Sequence, residues 1–180
     1  GEYAFYNNYL ESITIPNSVR TMGQGVFSSN RLKTVQLSNR LTIIEDSMFR
    51  SNLITEIELH EGLIEIDTYA FYENQLTEIE FPRSMRRVDD YSFQNNRISS
   101  ITFNDGVEFI DDFAFRNNNL QTLTITSQIS FIGTSAFNNN SLQTLIIGSQ
   151  VSTIESGAFS GNTDLTSVTV EGDAGRFNDS

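Results

Sequence analysis

The chain has 180 residues, no cysteine, 11 lysines and arginines against 23 aspartates and glutamates, and a formal net charge of −12. That balance excludes a reader of phosphate backbones, which needs a basic face, and argues against attachment to anionic lipid. Without cysteine there is neither a disulfide framework nor thiol chemistry. No apolar run is long enough to cross a membrane as a helix, and no stretch reads as a secretory leader.

From the first residues onward the chain repeats itself every 22 positions. Phenylalanine recurs at Phe5, Phe27, Phe49, Phe71, Phe93, Phe115, Phe137 and Phe159, and an asparagine follows each of them three residues later, from Asn8 to Asn162. A fixed period of this size means one unit copied and stacked, because a single unit cannot bury its own apolar face. The unit reads F-x-x-N-x-L-x-x-I-x-I-x-x-x-V-x-x-I-x-x-x-A, with small residues such as Ala70, Ala114, Ala136 and Ala158 before the next phenylalanine. The I-x-I pair alternates like a strand with one buried face, and its β-branched content agrees. No helical stripe lasts three turns, so the segment before each phenylalanine holds at most one short helical or 3₁₀ turn.

In chain order the strands point these residues away from the core: Ser12, Thr14, Pro16; Thr34, Gln36, Ser38; Glu56, Glu58, His60; Glu78, Glu80, Pro82; Ser100, Thr102, Asn104; Thr122, Thr124, Thr126; and Thr144, Ile146, Gly148. The last copy runs one residue long, through Phe159-Ser-Gly-Asn-Thr-Asp-Leu165, and residues 171–180, with Ala174 and Phe177 in the apolar register, read as a decaying final repeat. No linker divides residues 1–180, so they form one domain, and the opening Gly1-Glu-Tyr-Ala-Phe5 reads as the end of a repeat cut from a longer array.

Most of the outward surface is serine and threonine. The exception is the third and fourth copies, where Glu56, Glu58, Glu78 and Glu80 fall on neighbouring strands beside His60, the single histidine. Like charges directly opposed destabilise a sheet. A screened, solvated acidic surface, a basic protein or peptide partner, and a bound cation all fit this patch. His60 has no nucleophile or second base within reach, so no catalytic residue, cofactor site or metal site is assigned. Gln36 and Thr102 flank the patch and complete the candidate face.

A second acidic column, with Glu45-Asp46, Asp67, Asp89-Asp90, Asp111-Asp112 and Glu155, starts the turn before each phenylalanine, where free N–H groups accept a carboxylate. Arg83, Arg86 and Arg87 fall in register with Glu61, Glu108 and Glu65, which predicts a cross-repeat ion-pair ladder. The asparagine column reads as a ladder bonding backbone groups of its own and the adjacent coil.

Segments such as Leu10-Glu-Ser-Ile-Thr-Ile-Pro-Asn-Ser-Val19, Leu76-Thr-Glu-Ile-Glu-Phe-Pro82 and Ile132-Gly-Thr-Ser-Ala-Phe137 resemble the BspA-like, Treponema-type leucine-rich repeats. The resemblance covers almost the whole chain, although most copies here are one residue shorter than is usual in that family and use asparagine in the turn. It implies a right-handed leucine-rich-repeat solenoid of about eight coils, with a parallel concave sheet and short turns on the convex side. It further implies a non-enzymatic binding or adhesion module of a bacterial surface or secreted protein, recognising a protein or glycan through the concave face. The other role consistent with it is a rigid spacer within a larger surface protein.

Overall fold

The computed structural model describes residues 1–126 and 128–172; the apolar positions expected at Ala174 and Phe177 lie outside them. The period appears as a stack of coils carrying β1 (Ser12–Thr14), β2 (Thr34–Gln36), β3 (Ile43–Ile44), β4 (Glu65–Ile66), β5 (Glu78–Phe81), β6 (Arg87–Val88), β7 (Ser100–Phe103), β8 (Phe109–Ile110), β9 (Thr122–Ile125), β10 (Phe131–Ile132), β11 (Thr144–Ile147), β12 (Thr153–Ile154) and β13 (Ser167–Val170). All pairings are parallel and advance by one repeat, from Ser12 opposite Thr34 to Leu123 opposite Leu145. Between β11 and β13 the step is one residue longer, Thr144 opposite Ser167, where the sequence lengthens the turn.

Two walls result. The two-residue strands form one unbroken ladder, β3-β4-β6-β8-β10-β12, whereas the longer strands form the other wall in three pieces, β1-β2, β5-β7 and β9-β11-β13. The segments before each phenylalanine are plain turns, such as the one closed by Met48 N–H on the Glu45 carbonyl at 3.0 Å. The described residues contain no helix.

The core is a ladder of rings. Consecutive phenylalanines of the 22-residue column stack with centroids 5.2–5.8 Å apart and planes within 2–17° of parallel. Pairs of this kind contribute about 0.5–1.5 kcal/mol each beyond the area they bury. Phe81 and Phe103 form a second stacked pair, and Phe81 sets its edge against Phe93 and Phe115.

The asparagine ladder takes the form expected of it. Asn118 Nδ2 donates to the carbonyls of Phe93 and Phe115, and its Oδ1 accepts the N–H of Ile98. The same three bonds recur at Asn30, Asn52, Asn74, Asn96, Asn140 and Asn162, each side chain tying two coils together. Tight coiling also demands two left-handed residues per coil, two before and two after each phenylalanine. Glycine fills these positions at Gly25, Gly157 and Gly161; elsewhere Ser47, Tyr91, Asn117 and others hold φ near +55°. Asparagine tolerates this conformation, while serine and the aromatics bear strain.

Candidate functional site

Every residue assigned to the candidate face lines one groove. Gln36, Glu56, Glu58, His60, Glu78, Glu80 and Thr102 come from four consecutive coils and border a cavity of about 1040 Å³. The lining carries five glutamates and no lysine or arginine. Along one coil, outward side chains two residues apart are separated by about 6.7 Å, and neighbouring coils lie about 4.8 Å apart. None of Glu56, Glu58, Glu78 or Glu80 enters an ion pair among the described residues. Glu80 accepts one long bond, 3.4 Å, from the Asn104 amide. The face therefore holds its negative charge uncompensated.

The expected arrangement differs in three respects. First, Glu56 and Glu58 do not lie on a strand. Residues 52–60 form none, and no backbone hydrogen bond joins residues 56–59 to either neighbouring coil. A strand there would set Glu56 and Glu58 directly opposite Glu78 and Glu80, the like-charge pairing that a sheet resists. The ladder is interrupted at the acidic coil, as it is again between β7 and β9 where no like charges oppose, while Ile57 and Leu59 still pack on the core.

Second, the last outward column turns partly inward: Pro16 stays exposed, Asn104 and Thr126 are half-buried, and Gly148 is buried. Ser38 and Pro82 are buried; Ser38 Oγ donates to the Val19 carbonyl at 2.7 Å, and a Cβ on Gly148 would lie 2.7 Å from the Ile125 carbonyl oxygen. His60 belongs to this column and is half-buried. Its Nδ1 lies 3.0 Å from the Glu61 carbonyl, which can only accept, so the neutral ring carries its proton there. Its Nε2, the acceptor, has no hydrogen-bond partner.

Third, the basic cluster is only partly a ladder between coils. Arg86 pairs with Glu108 at 3.5 Å as expected. Arg83 meets Glu61 through its backbone N–H at 3.2 Å. Arg87, aligned with Glu65 in the backbone register, turns instead to Asp89 and Asp111. Glu61 was not among the candidate residues, yet its carboxylate accepts the N–H groups of both Arg83 and Ser84 at the groove's edge. Its position directly after His60, the last of the alternating outward positions in that coil, was the available signal.

The second acidic column caps in part. Asp90 Oδ1 accepts Asp112 N–H and Asp112 Oδ1 accepts Thr134 N–H, each one coil further on, and Asp67 takes the adjacent Thr68 N–H. Asp89 and Asp111 instead gather on Arg87. Among the described residues no group of three or more histidine, aspartate or glutamate side chains has the geometry to hold a metal ion. Among the same residues no helix is long and apolar enough to cross a membrane.

Parallel coils around a continuous apolar interior, with one wall bearing a groove, define a leucine-rich-repeat solenoid. The chain belongs to the BspA type leucine rich repeat region family, whose model matches it as six copies over residues 1–115 and 86–180. Among solved structures, a leucine rich cell surface protein from Faecalibacterium prausnitzii is similar over 93% of this chain and 61% of its own, at 20% identity and a TM-score of 0.51. That likeness is one of fold, and the chain spans about three fifths of that protein's length. A leucine-rich repeat protein from Eubacterium ventriosum is similar over 94% of this chain and 69% of its own, at 17% identity and a TM-score of 0.44. No curated protein matches the chain in sequence.

Proposed function

We propose that the groove is a recognition surface for a basic partner, a cationic protein segment or an amino-sugar glycan, on a bacterial surface or secreted protein. The observation that carries this is the convergence of five glutamates, without a lysine or arginine, on one groove in an otherwise serine- and threonine-rich face. Recognition is by preformed shape and charge, with no covalent chemistry. A cation docked between Glu56, Glu58, Glu78 and Glu80 relieves their mutual repulsion, so binding is strongest at low salt. The surface or secreted setting rests on the family and on the cell-surface protein of similar fold.

The test is direct capture of an arginine-rich dodecapeptide and of a deacetylated amino-sugar oligomer by the immobilised chain, with Glu56→Lys/Glu80→Lys as the comparison. The wild type should bind at least one probe in low salt, and the double variant should lose it while melting within a few degrees of wild type. Equal capture by both chains, or none by the wild type, rejects the acidic groove as the site.

A second reading, a rigid spacer, is favoured by one observation: the asparagine and phenylalanine ladders run almost uninterrupted from coil to coil. It requires no ligand, and it predicts tolerance to loss of a whole coil.

A further inference from the structure

On the wall of short strands, the residue following each buried aliphatic is Glu45, Asp67, Asp89 and Asp111, and then Gly133. Their backbones are laddered: Asp67 N–H bonds the Ile44 carbonyl, Asp89 the Ile66 carbonyl and Asp111 the Val88 carbonyl, each at 2.9 Å. The carboxyls therefore stack at the coil spacing, about 4.8 Å. A single cation, Arg87, reaches two of them. Arg87 Nε sits against Asp89 Oδ1 and lies 2.7 Å from Asp111 Oδ2, an ion pair on each side of one nitrogen. With both ion-paired to the same nitrogen, the Asp89 and Asp111 carboxyls are drawn close together. Carboxyls crowded in this way, with one cation between them, favour keeping a proton on one, because like charges in close contact resist joint ionisation. Gly133 ends the column, because a Cβ there would fall 2.6 Å from the Asp111 carbonyl carbon.

We propose that Glu45, Asp67, Asp89 and Asp111, with Arg87 ion-paired to the last two, form a proton-binding ladder that tightens the coil stack as the medium moves from neutral to mildly acidic. The charges facing it are acidic apart from that arginine. Asp111 meets Arg87, Asp89 and Asp90 of the preceding coil, and Asp112 on its own; the following coil offers only Gly133 at this position. Asp89 meets Glu65 and Asp67, and Asp67 meets Asp46. Glu45 meets Asp67.

Burial, then the neighbouring Asp89 carboxyl, pushes the Asp111 carboxyl up to about 7 against the pull of Arg87. Burial likewise raises Asp67, Glu65 and Glu45, with neighbouring acids adding to it. A carboxyl raised on folding binds its proton more tightly in the folded chain. Its stabilisation is complete below the unfolded carboxyl range, about pH 4, and is lost as pH climbs through the folded value. For Asp111 that loss spreads from about pH 4 upward and is complete just above neutrality, whereas ordinary surface carboxylates titrate at the bottom of that window.

The experiment pairs a carbon-13 carboxyl titration of aspartate-labelled chain with thermal unfolding at pH 5.5 and 7.5. Asp111 should titrate near neutrality, and the wild type should melt several degrees higher at pH 5.5. Asp111→Asn, which keeps an oxygen for Arg87, should melt higher than wild type at pH 7.5 and show a flatter response to pH. Glu56→Gln/Glu78→Gln removes charge at the distant groove and should leave the slope between these two pH values intact. An Asp111 that titrates near 4, a wild type no more stable at pH 5.5, or an unchanged slope in Asp111→Asn overturns the proposal. If that variant does not fold, the wild-type titration decides alone.

Discussion

Asn96 Nδ2 lies 2.9 Å from the carbonyl oxygen of Phe71, in the coil before its own. The same amide donates to the Phe93 carbonyl at 3.1 Å, and its oxygen accepts the N–H of Leu76 at 3.0 Å. One buried side chain thus satisfies three backbone groups that water cannot reach. Asn96→Ala leaves the Leu76 N–H without a partner and each carbonyl with a single donor, Asn74 for Phe71 and Asn118 for Phe93, and should cost on the order of 3 kcal/mol. In a chain of this size that lowers the melting temperature by about 6–12 °C. Asn96→Asp, of the same shape, should be about as damaging, because a carboxylate faces two carbonyls and cannot donate. Calorimetry of the two variants checks both. A melting point within a degree or two of wild type for either would show the ladder to be dispensable.

Ser135 sits two residues before Phe137 with φ at +54°. A residue bearing a Cβ loses roughly 1–2 kcal/mol in this conformation. The equivalent positions at Gly25 and Gly157 already use glycine, with φ at +58° and +66°. Glycine gives back part of the gain through the greater freedom of its unfolded chain. Ser135→Gly should therefore stabilise the chain by about 0.5–1 kcal/mol. Chemical denaturation with an unchanged slope and a raised midpoint is the expected result, and a lowered midpoint contradicts it.

What the amino-acid pattern reveals and what it hides follow from which interactions repeat. Phe93 stacks on Phe71 and Phe115, and Asn96 bonds the coil behind it, because the same geometry recurs in every copy and each copy must satisfy it. The groove residues are legible for the same reason: alternation within one strand places Glu78 and Glu80 on one face. The break at Glu56 and Glu58 is not legible in that way. Alternation treats each strand by itself, while the repulsion acts between coils. Ser38 and Gly148 look outward by parity, but the chain has already begun to turn against its neighbour there. Arg87 chooses Asp89 and Asp111 over Glu65 through side-chain reach, which the backbone register does not encode.

If charge alone interrupts the sheet, removing it should close the gap. Thr122 and Thr124 occupy the corresponding positions in β9, which pairs with β11 through a complete four-residue register. Glu56→Thr/Glu58→Thr should extend the ladder from β2 through the third coil to β5. Each relieved cross-strand pair contributes roughly 0.2–1 kcal/mol. Hydrogen exchange gives the decisive measurement: the amides of residues 57–59 should change from rapid exchange to protection like that of Leu123 and Thr124. Unchanged rapid exchange would mean that something other than glutamate repulsion holds the strands apart.

Because the ladders on either side of the fifth coil advance by the same 22-residue step, that coil is removable only in register. Deleting residues 102–123 joins Ile101 to Thr124, so Thr124 takes the place of Thr102 and Ile125 that of Phe103, and inward and outward positions are kept. Deleting residues 102–122 instead joins Ile101 to Leu123, which places a leucine where the strand faces solvent and turns Thr124 toward the core. A one-residue slip reverses every side chain that follows it until a bulge absorbs the error. Nearest-neighbour coupling in a solenoid means that the first deletion removes one coil and one interface and leaves the remainder intact. It should keep the wild-type circular dichroism spectrum and melt only a few degrees lower, while the 21-residue deletion should melt far lower or fail to accumulate as folded protein. Equal damage from both would show that stability depends on features confined to particular coils and not on the shared period.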